Sequence, residues 1–254
     1  MPEYPHGTPS WIELDTTDGD AARSFYGQLF EWTVADTGTV EETGGYQMFQ
    51  SDGKSVAGLM AQADLPYNVW ATYISVDDAD EAAANVTRAG GQVVLAPMDV
   101  MEIGRMGVFS DPAGAHFGVW QAGSFAGAEL VAEPGSLCWS ELLCRDAEAA
   151  KRFYPEVFGW TAAPFAEVPG YTLWQIGDRP VGGLLQMTDE NFPSEVPPHW
   201  SVVFAVADTD ATVAKATELG GTVLSPPMDI PPGRFAVLAD AQGTAFQVIK
   251  QNPM

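Results

Sequence analysis

The sequence is poor in basic residues, histidine, cysteine and long apolar runs, and each shortage removes a class of function. Against 34 Asp and Glu stand only 11 Lys and Arg, for a formal charge of −23 over 254 residues. Such a chain repels phosphate backbones and anionic lipid, so nucleic acid and membrane surfaces are excluded as expected partners. The plain reading of the charge is a solvated acidic surface that aids solubility. Two cysteines, Cys138 and Cys144, offer neither metal-type spacing nor a disulfide framework. No apolar run reaches bilayer length, and the start "MPEYPHGTPSW" has neither a basic nor an apolar leader segment. A reduced, cytoplasmic setting is the expectation. There is no glycine-rich phosphate loop. With histidine only at 6, 116 and 199, no credible Ser-His-Asp set can be assembled.

What the sequence does have is a repeat. "FYGQLFEW" at 25–32 returns as "FYPEVFGW" at 153–160, and around it Trp11 aligns with Trp139, Glu13 with Glu141 and Asp18 with Asp146. Further on, "GGYQMFQ" (44–50) matches "PGYTLWQ" (169–175), and "AGGQVVLAPMD" (89–99) matches "LGGTVLSPPMD" (219–229). "GRMGVFSDPAGAHFGV" (104–119) matches "GRFAVLADAQGTAFQV" (233–248). The chain therefore divides into residues 1–122 and 137–254, joined by a Gly-, Ala- and Glu-rich linker at 123–136.

Each half repeats again in its periodicity. "PSWIELDT" alternates as a strand does. Asp18 is placed to cap a helix whose apolar residues Phe25, Tyr26, Leu29 and Phe30 share one face. Gly27 and its counterpart Pro155 predict a kink or a tightened last turn. Strands follow at 31–36, 45–50 and 54–60. A second round runs through a strand at 70–76, a helix from Asp78 to about Ala89, and strands near 92–95, 105–110 and 115–120. The order is βαβββ, four times over.

This arrangement resembles the vicinal oxygen chelate superfamily, which includes glyoxalases, bleomycin-resistance proteins and extradiol dioxygenases. The resemblance rests on the "D..AA.FY..LF.W" units, the Gly-Gly after the second helix of each half, and the "DPAG" turn at 111–114, degenerate as "DAQG" at 240–243. It covers residues 9–121 and 137–249. The tandem layout is also similar to actinomycete hydroxylase- or glyoxalase-like proteins, some from aromatic polyketide pathways. The resemblance implies an α+β fold: two tandem glyoxalase-like domains whose curved mixed sheets form bowls covered outside by helices. Whether each bowl is built within a half or across halves stays open. So does the oligomeric state, a homodimer included. The "FY..LF.W" motif is then core, with Phe25 and Phe153 packing helix on sheet.

The resemblance also implies where a divalent ion would sit, on a first-strand His, a middle-strand His or Glu, and a last-strand Glu. By register these fall at Trp11 and Trp139; at Ala71 and Ser201, or one residue earlier at Trp70 and Trp200; and at Gly118 and Gln247. None is a good ligand, since indole offers only a donor. The expectation is no metal and no cofactor. Strand alternation then lines the bowls with Trp11, Trp120, Trp139, His116 and Gln247, together with Trp70 or Trp200, a wall suited to stacking a flat apolar ligand. The alternative is that the tryptophans simply fill the bowls. His116 and His199 also read as ordinary hydrogen-bonded histidines.

Glu13 and Glu141 are the candidate acid–base residues. A carboxyl between indole faces should have its pKa raised by desolvation. The competing reading pairs them with Arg105 and Arg234, and the bland reading of Asp99 and Asp229 is that they cap loop amides. Three functions follow in order of preference: a metal-free protein binding a planar aromatic small molecule, a metal-free enzyme using a bowl glutamate, and a metal-dependent lyase, isomerase or dioxygenase.

Overall fold

In the computed structural model, residues 4–35 and 43–253 are described. The first half contributes β1 (Pro9–Thr16), α1 (Gly19–Phe30), β2 (Thr33–Val34), β3 (Gln47–Ser51) and β4 (Lys54–Ala61), then β5 (Val69–Ser75), α2 (Ala79–Arg88), β6 (Gln92–Val100), β7 (Gly104–Ser110) and β8 (His116–Ala122). The second half repeats the order with β9 (Ser136–Cys144), α3 (Ala147–Phe158), β10 (Thr161–Pro164), β11 (Tyr171–Ile176) and β12 (Arg179–Gln186), then β13 (His199–Ala205), α4 (Thr209–Glu218), β14 (Thr222–Ile230), β15 (Gly233–Ala239) and β16 (Ala245–Gln251). The fold is α+β with four βαβββ units. Each of these four helices starts on an aspartate, Asp18, Asp78, Asp146 or Asp208, whose carboxylate accepts from first-turn amides. Helix α3 runs on through Pro155 to Phe158 and closes at Gly159 in the left-handed region. The predicted strand at 31–36 is only Thr33–Val34 among the described residues, position 36 lying outside them. Strand β6 runs on to Val100, well past the predicted 95.

Each half builds its own eight-stranded sheet, in the order β2-β3-β4-β1-β5-β8-β7-β6 and its equivalent β10-β11-β12-β9-β13-β16-β15-β14. The two units of a half join through antiparallel β1–β5 and β9–β13, so both bowls form within halves.

The cores do not follow that division. One joins Phe25, Tyr26, Phe30 and Trp32 of the first unit to Phe204, Leu238 and Phe246 of the fourth. The other joins Val86, Phe109 and Phe117 of the second unit to Phe153, Tyr154, Phe158 and Trp160 of the third. The repeated aromatic motif is thus the seam between halves. Tyr26 Oη donates to Asp240 Oδ2 at 3.0 Å, and Tyr154 Oη donates to Asp111 Oδ2 at 3.2 Å. The partner aspartates are the first residues of the DAQG and DPAG turns, whose amides they also hold through Oδ1. Trp32 Nε1 donates across the seam to the Gly135 carbonyl and Trp160 Nε1 to that of Gly7, each at 2.8 Å.

Candidate functional site

Pairing registers fix which side chains line each bowl. On the first floor Glu13 lies opposite Gly58 and Ala71, Asp15 opposite Met60 and Val69, and Trp11 opposite Tyr73, which in turn pairs with Gly118. Beyond them Val108 pairs with Gly118 and Leu95, and Met106 with Trp120 and Met98. The two faces differ in accessibility. Along β1, Ile12 and Leu14 are sealed under helices, whereas Glu13 and Asp15 are half-buried, as are Met48, Met60, Ala71, Met106 and Val108. Leu95 and Met98, on the far wall, are 41% and 47% exposed. The bowl is an open concavity with an apolar, methionine-rich wall.

Both floors share one device. Trp11 Nε1 donates to Tyr46 Oη at 2.8 Å, and Trp139 Nε1 donates to Tyr171 Oη at 2.9 Å. Each tyrosine in turn hydrogen-bonds its glutamate, Glu13 or Glu141. The tyrosine hydroxyl reaches the floor only over a glycine: a Cβ on Gly58 would stand 2.1 Å from the Tyr46 oxygen, and one on Gly183 would stand 1.8 Å from that of Tyr171.

The second donor to each glutamate differs. In the first bowl Tyr73 Oη donates to Glu13 Oε1 at 3.3 Å, its ring lying where any Cβ on Gly118 would intrude. In the second, Val203 and Gln247 take the places of Tyr73 and Gly118, and Gln247 Nε2 donates to Glu141 Oε1 at 3.2 Å. Asp15 is answered by Leu143, since Asp15 pairs with Met60 where Leu143 pairs with Leu185. The second floor is also tighter, with Glu141 8% and Gln247 4% exposed.

Desolvation dominates the electrostatics. It pushes the Glu13 carboxyl up to about 8, with repulsion from Asp15 adding and the tyrosine hydrogen bonds opposing. Asp15 rises to about 6 from burial. Glu141 is raised by desolvation against the hydrogen bonds from Tyr171 and Gln247. Burial pushes both thiols up to about 12, so Cys138 and Cys144 are inert.

Several expected pairings are corrected here. Arg105 does not reach Glu13; it binds Asp80 and Asp99 at 2.9 and 2.6 Å. Arg234 binds Asp210 and Asp229 and leaves Glu141 without a cation. Asp99 and Asp229 are therefore arginine partners and not loop caps. The arginines pair on the opposite face because the residue after each, Met106 or Phe235, is the one that turns to the bowl. Trp70 and Trp200 are not bowl residues: both lie in the helix-covered cores and donate to Tyr26 Oη and Tyr154 Oη at 2.9 and 3.0 Å. Trp120 does face the first bowl, but its indole donates to the Phe125 carbonyl at 2.8 Å, and the linker ring of Phe125 stands edge-on to Trp11 at 5.0 Å. The linker thus closes one end of that bowl. His116 is exposed at the start of β8. His199 is half-buried, its imidazole pKa lowered by desolvation and its Nδ1 2.8 Å from the Pro197 carbonyl oxygen. Asp15 shares the face of Trp11 and Glu13, as strand alternation predicts, whereas sequence reasoning missed Tyr46 and Tyr73 as members of the floor. The repeated Tyr of "GGYQMFQ" and "PGYTLWQ" was the available signal for the first.

The donor set does not suit a divalent ion. The Trp11 and Trp139 indoles spend their only polar group on tyrosines and have no lone pair to give. Among the described residues no three His, Cys, Asp or Glu side chains converge as a metal site.

Residues 8–119 match the Glyoxalase/Bleomycin resistance protein/Dioxygenase superfamily, and residues 137–249 match a Glyoxalase-like domain. The anthracycline biosynthesis protein DnrV of Streptomyces peucetius is 42% identical, over 98% of this chain and 95% of its own. The putative glyoxylase CFP32 of Mycobacterium bovis is 43% identical, over 99% and 97%. Among solved structures, a Mn(II)-bound glyoxalase from Novosphingobium aromaticivorans superposes with a TM-score of 0.65 at 18% identity, over 96% of this chain and 82% of that one. Homoprotocatechuate 2,3-dioxygenase from Arthrobacter globiformis gives 0.67 at 14%, over 99% and 81%. At those identities the likeness shows the fold alone. The chain belongs to the glyoxalase/bleomycin-resistance/dioxygenase superfamily, as a tandem pair of its domains.

Proposed function

We propose that this protein binds a planar apolar or aromatic small molecule in the bowl of its first half, without a metal, as a sequestering or biosynthetic accessory protein. The observation that carries this reading is the accessibility contrast across one sheet. The helix face is sealed, while the concave face leaves Met48, Met60, Met106, Leu95 and Met98 in reach of solvent around Trp11 and Tyr73. The floor aromatics Trp11, Tyr73 and Trp120 are themselves buried in a cluster with Ala128, so it is this partly accessible methionine and leucine rim that a flat ligand would meet. Two relatives, 42% and 40% identical, are anthracycline biosynthesis proteins, which supports a ligand of polyketide-like character. The test is a titration of intrinsic tryptophan fluorescence with a soluble anthraquinone, with elemental analysis of the purified chain alongside. The expected results are saturable quenching, affinity at least tenfold weaker in Trp11→Ala, and under about a tenth of an equivalent of transition metal. Stoichiometric metal whose removal abolishes binding or activity would overturn the reading in favour of the metal-dependent members of the family.

A second reading has a specific observation behind it. Glu13 has no cation partner among the described residues, and burial raises its carboxyl to about 8 and that of Asp15 to about 6, two perturbed carboxyls on one strand face. On this reading the protein is a metal-free enzyme that uses Glu13 as acid or base. Glu13→Gln would then lower turnover by about 10²–10⁴-fold with binding largely kept. The same substitution in a pure binder leaves no turnover to lose.

A further inference from the structure

The two bowls serve as controls for each other. Their floors share the Trp–Tyr–Glu device, and the fold requires nothing ionic beside it, because Leu143 fills in the second bowl the position that Asp15 fills in the first. Asp15 is half-buried and has neither hydrogen bond nor ion pair among the described residues. The groups facing it from the packed strands are Glu13 on its own strand, Tyr46 beside β3, Met60 on β4, and Val69, Ala71 and Tyr73 on β5; β7 adds Met106 and Val108, and β8 adds Gly118 with His116 at its exposed end. None is Lys or Arg. A desolvated carboxylate with no counter-charge is unfavourable in the free protein, and it is retained at a site that opens to solvent through a methionine and leucine rim.

We propose that the first bowl selects a cationic ligand, a flat apolar or aromatic body carrying a protonated amine, with the ammonium seated at Asp15 and the body against Met48, Met60, Met106, Leu95 and Met98. This rests on the reading of the bowl as the binding site and adds the charge class of what it takes. The second bowl, with Leu143 in place of the aspartate, lacks this preference.

The seated ammonium has a proton consequence. Desolvation raises the Glu13 carboxyl to about 8, and a cation placed nearby favours the carboxylate, so binding shifts Glu13 toward releasing a proton to solvent. No bond other than that O–H is broken.

The test uses three naphthalenes of one shape on the full chain at 0.15 M salt, where surface charges are screened beyond about 8 Å. They are 2-naphthylmethylammonium, 2-naphthalenemethanol and 2-naphthoate. The cation should bind at least about tenfold tighter than the alcohol, and the carboxylate weakest of the three. Asp15→Leu, which copies the second bowl and so keeps a residue the fold accepts, should erase the preference for the cation and leave the alcohol's affinity within about twofold. Asp15→Asn should do the same, and calorimetry of the cation in buffers of different ionisation enthalpy should show proton release in the wild type. If cation and alcohol bind equally, or the preference survives both variants, the charge assignment is wrong while the bowl still binds. If none of the three binds, the bowl reading fails and this one with it.

Discussion

Tyr154→Phe removes one oxygen from the seam and tests how the halves are held. Tyr154 is fully buried, its hydroxyl donating to Asp111 Oδ2 at 3.2 Å and accepting from Trp200 Nε1 at 3.0 Å. Phenylalanine keeps the ring and with it the packing on Phe153, Phe158, Trp160, Trp174 and Trp200, whose centroids lie 5.0–6.4 Å away. The DPAG turn also keeps its Asp111 Oδ1 bonds to the amides of Ala113 and Ala115. What remains is a buried indole N–H with no acceptor and a carboxylate oxygen with no donor. Each costs about 1–3 kcal/mol, so the expected loss is about 2–6 kcal/mol. At about 2–4 °C per kcal/mol for a chain of this size, Tm should fall by about 4–24 °C. Urea and thermal unfolding followed by circular dichroism and tryptophan fluorescence would measure it. Because the core that contains Tyr154 also holds Val86, Phe109 and Phe117 of the first half, both sequence halves should lose stability together, in one transition. Tyr26→Phe, in the other core, should cost a similar amount, and the double variant should be additive within about 0.5 kcal/mol. A loss below about 0.5 kcal/mol, or two transitions with the first half unaffected, would refute the cross-seam account.

Two further outcomes follow from the floors and the helix faces. The Glu13 carboxyl stands at about 8 in the fold against an ordinary value near 4.5, so the folded state holds the extra proton between those values and stability falls as pH rises through that window. Glu13→Gln should therefore flatten the pH dependence of the urea midpoint between about pH 5 and 8 and gain stability at the alkaline end; an unchanged slope would show that Glu13 ionises freely. Phe153→Ala should cost about 3–5 kcal/mol as a buried aromatic in the helix-covered core, while Trp139→Ala, on a half-buried bowl face, should cost less. Equal thermal losses would mean that the second bowl is packed shut.

How far the sequence could be read depended on whether a position is governed by local rules or by long-range pairing. The fourfold βαβββ order was legible because capping aspartates and apolar periodicity act within one turn or strand, as at Asp18, Asp146 and the "PSWIELDT" alternation. The bowl face of β1 and β9 was legible for the same reason: Trp11 and Glu13, like Trp139 and Glu141, must share a side. A one-residue uncertainty in β5 and β13 was enough to put Trp70 and Trp200 on either face, because the side-chain period is two. The registers of Glu13 with Ala71 and of Glu141 with Ser201 decide it for the core. The ion pairs failed for a different reason. Arg105 and Arg234 were assigned to the glutamates from the repeat alone, but adjacent strand residues point to opposite faces, so the arginines reach Asp80 and Asp210 on the helices. The exchange of cores between halves has no local signal at all. It shows in the sequence only as an apolar motif larger than one half needs.

That exchange also bears on why the two bowls differ while the motif around them is repeated. Phe25, Tyr26 and Trp32 contact residues of the other half, as do Phe153, Tyr154 and Trp160, so a change in any of them must be met in both halves at once. The concave faces are less tied: the strand pairings of Asp15, Tyr73 and Gly118, and of Leu143, Val203 and Gln247, lie within their own sheet, the linker aside. The substitution of Tyr73 and Gly118 by Val203 and Gln247 shows the freedom this leaves, since the glutamate keeps a second donor by a different route. Asp15 has no such compensation in its own half. Its charge is balanced by no group on the floor, which is why the ligand, and not the fold, is the place to look for its partner.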